Sequence, residues 1–249
     1  MRLKNRIAII TGGSSGIGHA IATAFCGEGA RVVIADVNPF SEGELTPDLY
    51  VRTDVSQSAD CARLIDKTLE RFGRLDILCN NAGVFEGTKN DEVSEIDEEV
   101  WDRVISVNLK GTYLCSKAAL PQMQKQRAGV IINMGSISGL VSTSTGRNAA
   151  YSASKAGIVA LTRNMAIGNA RYGIRVNCIC PGYIDTPMTE SIFELYGKDG
   201  LKGDMARVQP LGRFGVPQEI ANGAVFLASE ESSFMTGASL TIDGGYTAI

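Results

Sequence analysis

Short apolar runs alternate with longer helical patterns along the chain, and this alternation restricts the possible folds more than any other feature. It is typical of β-α-β units, which build a parallel sheet covered by helices on both faces. The predicted strands are Arg6–Ile10, Arg31–Ala35, Leu49–Arg52, Ile77–Asn80, Val130–Asn133, Arg175–Ile179 and Ser239–Ile242. The predicted helices are Ile17–Gly27, Ser58–Phe72, Val100–Gln126, Ala150–Tyr172 and Pro217–Ala228. We therefore predict an α/β fold with a doubly wound, seven-stranded parallel sheet.

The domain organisation follows from length and from the absence of any repeat, low-complexity segment or linker. A chain of 249 residues fits one large α/β domain spanning residues 1–249. The crossover Val37–Thr53 contains two prolines and a glycine and has room for at most a turn or two of helix. The segment Thr186–Gly212 is long for a loop in a compact domain, so we predict a lid or substrate loop there.

A glycine-rich turn, Thr11–Gly18, lies between the first predicted strand and the first predicted helix. Glycines at such a turn let the backbone approach a pyrophosphate, which then rests on the free N–H groups of the helix N-terminus. The spacing differs from the common G-x-G-x-x-G pattern, but a strand before and a helix after it support the same interpretation. The predicted phosphate-binding residues are Gly12, Ser14, Ser15, Ile17 and Gly18.

An acidic residue, Asp36, ends the second predicted strand, about 20 positions beyond the glycines. A carboxylate there can accept hydrogen bonds from the adenosine ribose hydroxyls and repels a 2′-phosphate. Neither Ser14 nor Ser15 supplies a cation that could neutralise such a phosphate. Asp36, with Val37 beside it, therefore predicts NAD rather than NADP as the cofactor.

Tyr151 and Lys155 lie four residues apart within a predicted helix, so their side chains share one helix face. A nearby ammonium favours the phenolate and lowers the pKa of the phenol. A tyrosine with a pKa near neutrality can exchange protons with a substrate. The spacing alone favours an ordinary exposed pair, and the rest of the sequence reverses that interpretation.

The complete set of motifs resembles the short-chain dehydrogenase/reductase family, of the single-domain type with a Rossmann-type fold, over essentially the full length of the chain. The matching motifs, in family order, are Thr11–Gly18, Asp54-Val55, Asn80-Asn81-Ala82-Gly83, Asn108, Ser136, Tyr151 with Lys155, Pro181–Thr186, Leu227-Ala228-Ser229, Thr236-Gly237 and Asp243-Gly244-Gly245. Each motif is modest evidence by itself, and their order makes the resemblance specific.

The resemblance implies a catalytic role for four residues. Tyr151 is expected to be the general acid and base, and Lys155 to lower its pKa and bind the nicotinamide ribose. Ser136 is expected to hold the reacting oxygen against Tyr151. Asn108 is expected to support a water that connects Lys155 to solvent. The implied activity is NAD-dependent interconversion of a small secondary alcohol and its ketone.

The resemblance also implies the remaining coenzyme contacts. Asp54 and Val55 are expected at the adenine, and Ile184 and Thr186 at the carboxamide. The residues expected at the adenosine-side ribose region are Asn81, Ala82 and Gly83. Similar proteins form homotetramers through two long helices, here Val100–Gln126 and Ala150–Tyr172, and through the C-terminal strand region, so we expect a homotetramer.

Two departures from the family pattern affect these expectations. The separation of Ser136 and Tyr151 exceeds the usual one, and Ser138 lies nearer to the usual distance. We prefer Ser136, because Ser136–Gly139 matches the family's Ser-x-x-Gly, which places an insertion in Leu140–Asn148. The short crossover after Asp36 is the second departure and is expected to thin the rim on the adenine side.

Two other functions stay open from the sequence. The general sequence of the chain also resembles that of 3-oxoacyl thioester reductases. Such enzymes usually take NADPH, which Asp36 disfavours. A nucleotide-binding scaffold without catalysis conflicts with the intact catalytic set.

Charge and hydropathy limit the partners that we expect. The net charge of −3 offers no electrostatic footprint for nucleic acid or an anionic membrane. No apolar stretch approaches a membrane span, and the N-terminus leaves no room for a signal peptide, so we expect a cytoplasmic protein. The six cysteines show no zinc-like spacing, and we predict no metal site.

Overall fold

The computed structural model describes residues 1–40, 46–86, 93–142, 148–190 and 208–248. Its centre is a seven-stranded sheet in which every pair of neighbouring strands is parallel. The strands are β1 (Ile7–Thr11), β2 (Arg31–Asp36), β3 (Leu49–Arg52), β4 (Ile77–Asn80), β5 (Gly129–Met134), β6 (Ile174–Pro181) and β7 (Ser239–Ile242). The inner strands consist largely of β-branched and aliphatic residues buried on both faces, as a helix-covered parallel sheet requires.

Helices cover both faces of this sheet. They are α1 (Gly16–Gly27), α2 (Ser58–Phe72), α3 (Glu98–Val104), α4 (Gly111–Gln126), α5 (Ala149–Asn169) and α6 (Pro217–Ala228). α1 and α6 pack against each other over one face, in a core cluster that includes Phe25 and Ile220. α2, α4 and α5 cover the opposite face, in a second cluster that includes Leu64, Met123 and Met165. The α/β fold class predicted from the sequence is confirmed.

The strand order, β3-β2-β1-β4-β5-β6-β7, determines where a ligand can bind. The chain runs outward in one direction from β1 to β3 and in the other from β4 to β7. The loops after β1 and β4 therefore diverge to opposite faces and leave a crevice at the carboxyl ends of these strands. The predicted glycine-rich turn follows β1 at this crevice, and Asn81 follows β4.

Most element boundaries agree with the sequence prediction to within one or two residues, and α2 and α6 agree at both ends. The principal difference lies in the helix predicted over Val100–Gln126. The helical segment begins at Glu98, and its residues Ile105–Lys110 form a π-helix between α3 and α4. A π-helical turn inserts an extra residue per turn, and such turns are frequent at functional sites. Hydrophobic periodicity did not predict it.

Several predicted loops lie partly outside the described residues. Residues 41–45 of the short crossover, 143–147 of the predicted insertion, and 191–207 of the predicted lid fall there, as do 87–92. The described parts of the crossover, residues 37–40 and 46–48, contain no helix.

No helix within the described ranges combines the length and hydropathy needed to cross a bilayer. The described residues also hold no cluster of three or more His, Cys, Asp or Glu side chains that could bind a metal. Cys178 and Cys180 share one face of β6, as their spacing predicts, with their Sγ atoms 3.9 Å apart in the buried core.

Candidate active site

The glycine-rich turn is built so that the backbone after β1 lies directly against the loop after β4. Gly12 has a φ of 65°, and a Cβ atom there would come within 2.8 Å of the Cα of Ala82. A Cβ atom on Gly18 would collide with the carbonyl oxygen of Gly12. The turn therefore requires glycine at both positions.

The N-terminus of α1 is open toward the crevice. Ser15 is the N-cap residue in an extended conformation, its side chain makes no capping hydrogen bond, and no acidic residue lies in the first turn. The first N–H groups of a helix lack intrahelical partners and carry the positive end of the helix dipole. With the close backbone approach at Gly12, this arrangement fits the pyrophosphate of a dinucleotide.

Asp36 ends β2 and is 9% exposed, with its carboxylate at the edge of the crevice. Its Oδ2 accepts a hydrogen bond from the backbone N of Ser14 at 3.1 Å, and its Oδ1 accepts one from the N of Asn38 at 3.0 Å. These two bonds fix the carboxylate beside the glycine-rich turn. Arg52, which is paired with Asp36 in the sheet register, donates its Nε to the carbonyl of Val37 at 3.4 Å.

The segment after β4 is fastened to the segment after β1 by hydrogen bonds. The backbone N atoms of Asn81 and Ala82 both donate to the hydroxyl oxygen of Thr11 at 3.0 Å. The Asn81 side-chain amide donates to the carbonyls of Thr11 and Gly12 at 3.0 and 3.1 Å. The two loops thus form one wall of the crevice, and its residues Asn81, Ala82 and Gly83 are those that the family resemblance assigns to the adenosine-side ribose region.

Asp54 and Val55 follow β3 at the far end of the crevice. Oδ1 of Asp54 accepts hydrogen bonds from the N and Oγ of Ser56 at 2.9 and 2.7 Å. Val55 is buried, and Gly111 lies so close that a Cβ atom there would come within 2.7 Å of the Cγ2 of Val55. Because Gly111, the first residue of α4, has no side chain, Val55 has room to line the crevice.

Ser136, Tyr151 and Lys155 meet at the opposite end of the crevice. Ser136 follows β5, and Tyr151 and Lys155 occupy the first turns of α5. The Nζ of Lys155 donates to the carbonyl of Met134 at 2.8 Å and lies 5.4 Å from the centroid of the Tyr151 ring. The Ser136 side chain interacts with the Tyr151 phenol and lowers its pKa. The structure therefore brings these three residues together.

Of the two candidate serines, Ser136 contacts Tyr151, and Ser138 supports Ser136. The backbone N of Ser138 donates to the Oγ of Ser136 at 3.1 Å, so the position of that hydroxyl is defined by the short helical turn Ile137–Gly139. Both serines border the crevice. The interaction of the Ser136 side chain with the Tyr151 phenol favours the serine that the Ser-x-x-Gly match had indicated.

The ionisation of Tyr151 and Lys155 corrects the expectation that the ammonium acidifies the phenol. Although part of the Tyr151 ring is accessible, the surrounding protein atoms desolvate the phenol and raise its pKa to about 12, while the Ser136 side chain lowers it. Desolvation also lowers the pKa of Lys155 to about 8. Because burial disfavours the charged form of both groups, desolvation outweighs the attraction between ammonium and phenolate. The prediction of a lowered Tyr151 pKa was therefore wrong for the protein alone.

Asn108 is fully buried in the π-helical segment and lies behind the wall of the crevice. Its Oδ1 accepts from the backbone N of Val84 at 2.8 Å. Its Nδ2 donates to the carbonyl of Val84 at 3.0 Å and to the Oγ of Ser154 at 3.1 Å. Asn108 thus ties the loop after Gly83 to α5, which carries Tyr151 and Lys155.

These features line one continuous cavity of about 890 Å³. Its volume is near the upper end of the range for ligand sites, about 300–1,000 Å³. The predicted site residues that line it are Gly12, Ser15, Ile17, Asp36, Val37, Asp54, Val55, Asn81, Ala82, Gly83, Ser136, Tyr151, Lys155, Ile184 and Thr186. Ser14, Gly18 and Asn108 lie outside this lining. The residues therefore fit a dinucleotide whose phosphates lie at the α1 N-terminus, with room for a small molecule beside Tyr151.

The sequence interpretation placed two residues of the cavity wall, Phe85 and Asn148, only within loops expected to shape the substrate site, and it gave Tyr183 no role of its own. Phe85 packs edge-to-face on Tyr151 with ring centroids 5.3 Å apart, and it follows the Asn81–Gly83 motif by two residues. Tyr183 lies within the Pro181–Thr186 motif and packs on Tyr246 at 5.8 Å. Asn148 immediately precedes α5. Proximity to a motif was the available signal in each case.

The C-terminal residues and the segment around Gln209 hold the strand end at Gly182 and Tyr183. Gln209 is 2% exposed, its Oε1 accepts from the N of Tyr183 at 2.9 Å, and its Nε2 donates to the carbonyl of Arg213 at 2.7 Å. A Cβ atom on Gly182 would meet the Cα of Asp243 at 2.7 Å. Asp243 in turn accepts a hydrogen bond from the N of Thr247 at 2.8 Å.

Comparison with known proteins agrees with the fold. A family model described as enoyl-(acyl carrier protein) reductase matches residues 12–247. The chain is 41% identical to a cis-4-hydroxycyclohexanecarboxylate dehydrogenase of Sinomonas cyclohexanicum, over 98% of this chain and 97% of that protein. It is 40% identical to a 3-oxoacyl-(acyl carrier protein) reductase of Thermotoga maritima, over 98% and 99%. The crystal structure of levodione reductase is similar, with a TM-score of 0.92, 35% identity and 99% coverage of both chains.

The chain belongs to the short-chain dehydrogenase/reductase family. The relatives are dehydrogenases and reductases, so the class of chemistry is oxidoreduction at a CH–OH group with a nicotinamide coenzyme.

Proposed function

We propose that this protein is an NAD-dependent oxidoreductase that interconverts a small secondary alcohol and its ketone. The observation that carries the proposal is one cavity with the Asp36 carboxylate at one end and the Ser136, Tyr151 and Lys155 group at the other. The first end suits the adenosine of a coenzyme without a 2′-phosphate. The second end suits proton transfer to and from a substrate oxygen.

The choice of NAD depends on the surroundings of Asp36. Both of its oxygens are oriented by backbone N–H groups, so the carboxylate is held where it can accept hydrogen bonds from ribose hydroxyls. A 2′-phosphate at the same place would meet a negative charge instead. Arg52 does not line the cavity, although it lies near Val37.

Tyr151 acts as the proton donor in ketone reduction and as the acceptor in the reverse direction. Its raised pKa keeps it protonated at neutral pH, and the neighbouring Ser136 side chain interacts with the phenol. Ser136 holds the substrate oxygen beside Tyr151. The nicotinamide, when bound, supplies the hydride.

Lys155 has a pKa of about 8, so it can release and regain a proton near neutral pH. We assign it contact with the nicotinamide ribose and the return of the proton to Tyr151. Asn108 positions the loop at Gly83 and Val84 and supports the water expected in that relay. Ile184 and Thr186 line the cavity beyond Tyr183 and are assigned to the carboxamide.

A second candidate function is reduction of a 3-oxoacyl thioester with NADPH, because two relatives are named 3-oxoacyl-(acyl carrier protein) reductases. The Asp36 carboxylate is the feature that opposes it. An acyl-thioester substrate with both coenzymes distinguishes the two candidates. A protein that bound the coenzyme and turned over neither substrate would instead be a nucleotide-binding scaffold.

The test of the proposed function is a screen of small secondary alcohols and ketones with NAD⁺ and NADH, monitored by absorbance of the reduced coenzyme. We expect turnover with NADH, and loss of more than 99% of it, about 3 kcal/mol of transition-state stabilisation, in Tyr151→Phe. The affinity for NADH should be unchanged in that variant, because the removed phenol hydroxyl is needed for proton transfer. Retention of more than a few per cent of the activity would contradict the role of Tyr151.

We also infer a cytoplasmic homotetramer. The outward face of α5 carries Ala153, Ala156 and Ala160, small residues that allow another helix to approach closely, and the exposed Ile167. Phe234, just before β7, is fully exposed as well. These surfaces lie on the helix and the C-terminal strand region through which similar proteins assemble.

A further inference from the structure

Ser154 places a fully buried hydroxyl on α5, between Tyr151 and Lys155. Its Oγ donates to the carbonyl of Tyr151 at 2.7 Å and accepts a hydrogen bond from the Nδ2 of Asn108 at 3.1 Å. Serine is a poorer helix former than alanine, and a hydroxyl that bonds back to the preceding turn slightly destabilises a helix. The needs of the helix therefore do not explain this hydroxyl, whereas its bond to Asn108 does.

The hydrogen bonds around Asn108 give its side-chain amide one orientation. The single hydrogen of the Ser154 hydroxyl is committed to the Tyr151 carbonyl, so its oxygen can only accept from Asn108. The Nδ2 of Asn108 therefore faces Ser154, and it also donates to the carbonyl of Val84 at 3.0 Å. The Oδ1 accepts from the N of Val84 at 2.8 Å. Val84 sets this orientation from the loop, and Ser154 sets the same orientation from α5.

This orientation places the Oδ1 of Asn108 near Lys155. A Cβ atom on Gly83 would lie 3.3 Å from that Oδ1 and 3.6 Å from the Nζ of Lys155. The two polar atoms therefore lie on the same side of Gly83. An amide oxygen there favours a protonated Lys155, whereas a rotated amide would present its N–H groups toward the ammonium.

We propose that Ser154 is a positioning residue for the return of the proton to Tyr151. By binding the Nδ2 of Asn108, it keeps the Asn108 Oδ1 on the side of Gly83 that Lys155 occupies. The same hydroxyl joins that amide to the helix that carries Tyr151 and Lys155. The inference rests on the proposed function, in which Lys155 returns the proton to Tyr151. Ser154 itself does not line the cavity, so it acts through Asn108.

Thr162 supplies a matched control on the same helix. It is fully buried, its Oγ1 donates to the carbonyl of Ile158 at 2.8 Å, and it accepts a hydrogen bond from the Nδ2 of Asn133 at 2.8 Å. Thr162 therefore makes the same two kinds of bond as Ser154, about two turns beyond Lys155. Ser154→Ala and Thr162→Val each remove the acceptor of one buried amide hydrogen. Both should lower the melting temperature by roughly 2–8 °C.

Kinetics and hydrogen exchange separate positioning from stability. With NADH and the small ketone that the activity screen identifies, Ser154→Ala should lower kcat by roughly tenfold and raise the solvent deuterium isotope effect on kcat, because proton return becomes slower. The KM for NADH should stay within about twofold of the wild-type value. Without coenzyme, the N–H of Val84 should exchange with solvent faster, because the Asn108 amide that accepts from it is held by one bond fewer. Thr162→Val should change none of these quantities.

Combining Ser154→Ala with Asn108→Ala shows whether Ser154 acts through Asn108. Once the amide is absent, loss of the hydroxyl should cost no further activity, whereas independent effects would multiply. Wild-type kcat or unchanged Val84 exchange in Ser154→Ala, equal kcat losses in Ser154→Ala and Thr162→Val, or multiplied losses in the double variant would overturn the assignment and leave the ketone reductase intact. Absence of turnover with every ketone and alcohol in wild type would remove the proposed function, and the role in proton return with it.

Discussion

Replacing Asp36 by asparagine should change the coenzyme preference. The substitution removes the negative charge and retains a carbonyl oxygen that can accept the hydrogen bond from Ser14 or Asn38. The fold around the turn should therefore persist. The changes in binding follow from two terms that act in opposite directions on the two coenzymes.

For NADH, the loss of a charged acceptor to the ribose hydroxyls costs about 1.5–3 kcal/mol. For NADPH, two unit charges 4 Å apart repel by about 4 kcal/mol at an effective dielectric constant of about 20, and the partly solvated rim of the site reduces this. With about 1.5 kcal/mol from each term, the ratio of the two dissociation constants should change by roughly 100-fold.

Calorimetric titration of NADH and NADPH into the wild-type protein and Asp36→Asn measures this ratio directly. Asp54→Asn is the matched control, because its carboxylate bonds to Ser56 and we assign it to the adenine, away from the 2′ position. In the control, the ratio of the NADH and NADPH dissociation constants should stay within about twofold of the wild-type ratio. Tighter binding of NADPH by wild type, or a change below about threefold in Asp36→Asn, would refute the reasoning.

Two further predictions concern stability and assembly. Lys155 titrates at about 8 in the folded protein and at the ordinary 10.5 when unfolded, so wild type loses stability as pH falls from 10.5 to 8, by up to about 3 kcal/mol. Urea unfolding without coenzyme measures this effect in Lys155→Met. At pH 7 the free energy of unfolding of the variant should exceed that of wild type by about 1–2 kcal/mol, because the lost hydrogen bond to Met134 offsets part of the gain, and the gain should vanish near pH 10. An equal gain at both pH values would contradict the burial argument. Light scattering at micromolar concentration should give about four times the chain mass of 26.5 kDa, and a monomer would defeat the tetramer.

Features that repeat locally along the chain could be predicted from the sequence, and these include the fold. The β-branched runs at β1 and β2 and the Tyr151–Lys155 spacing are set by strand and helix periods, so their positions followed directly. The tight turn was also predictable, because Gly12 and Gly18 permit the close backbone approach that a dinucleotide requires.

Features that depend on contacts distant in sequence could not be predicted. The π-helical turn at Ile105–Lys110 leaves no signature in residue type, because the same residues suit an α-helix. The direction of the Tyr151 pKa shift depends on how tightly the folded chain encloses the phenol, which spacing on a helix does not report. The hydrogen bond between Asn108 and Ser154 likewise becomes evident only once α5 and the π-helical turn are in place.

The contacts around Gln209 have a practical consequence for handling the protein. Leu211 donates its N to the carbonyl of Gly244 at 3.1 Å, and Tyr246 packs on Tyr183, so the C-terminal residues support the cavity wall from behind. Met1 lies instead beside Glu28, beyond the far end of α1. A bulky group attached beside Tyr246 should therefore disturb the cavity at Tyr183, whereas one attached beside Met1 should leave the cavity unchanged.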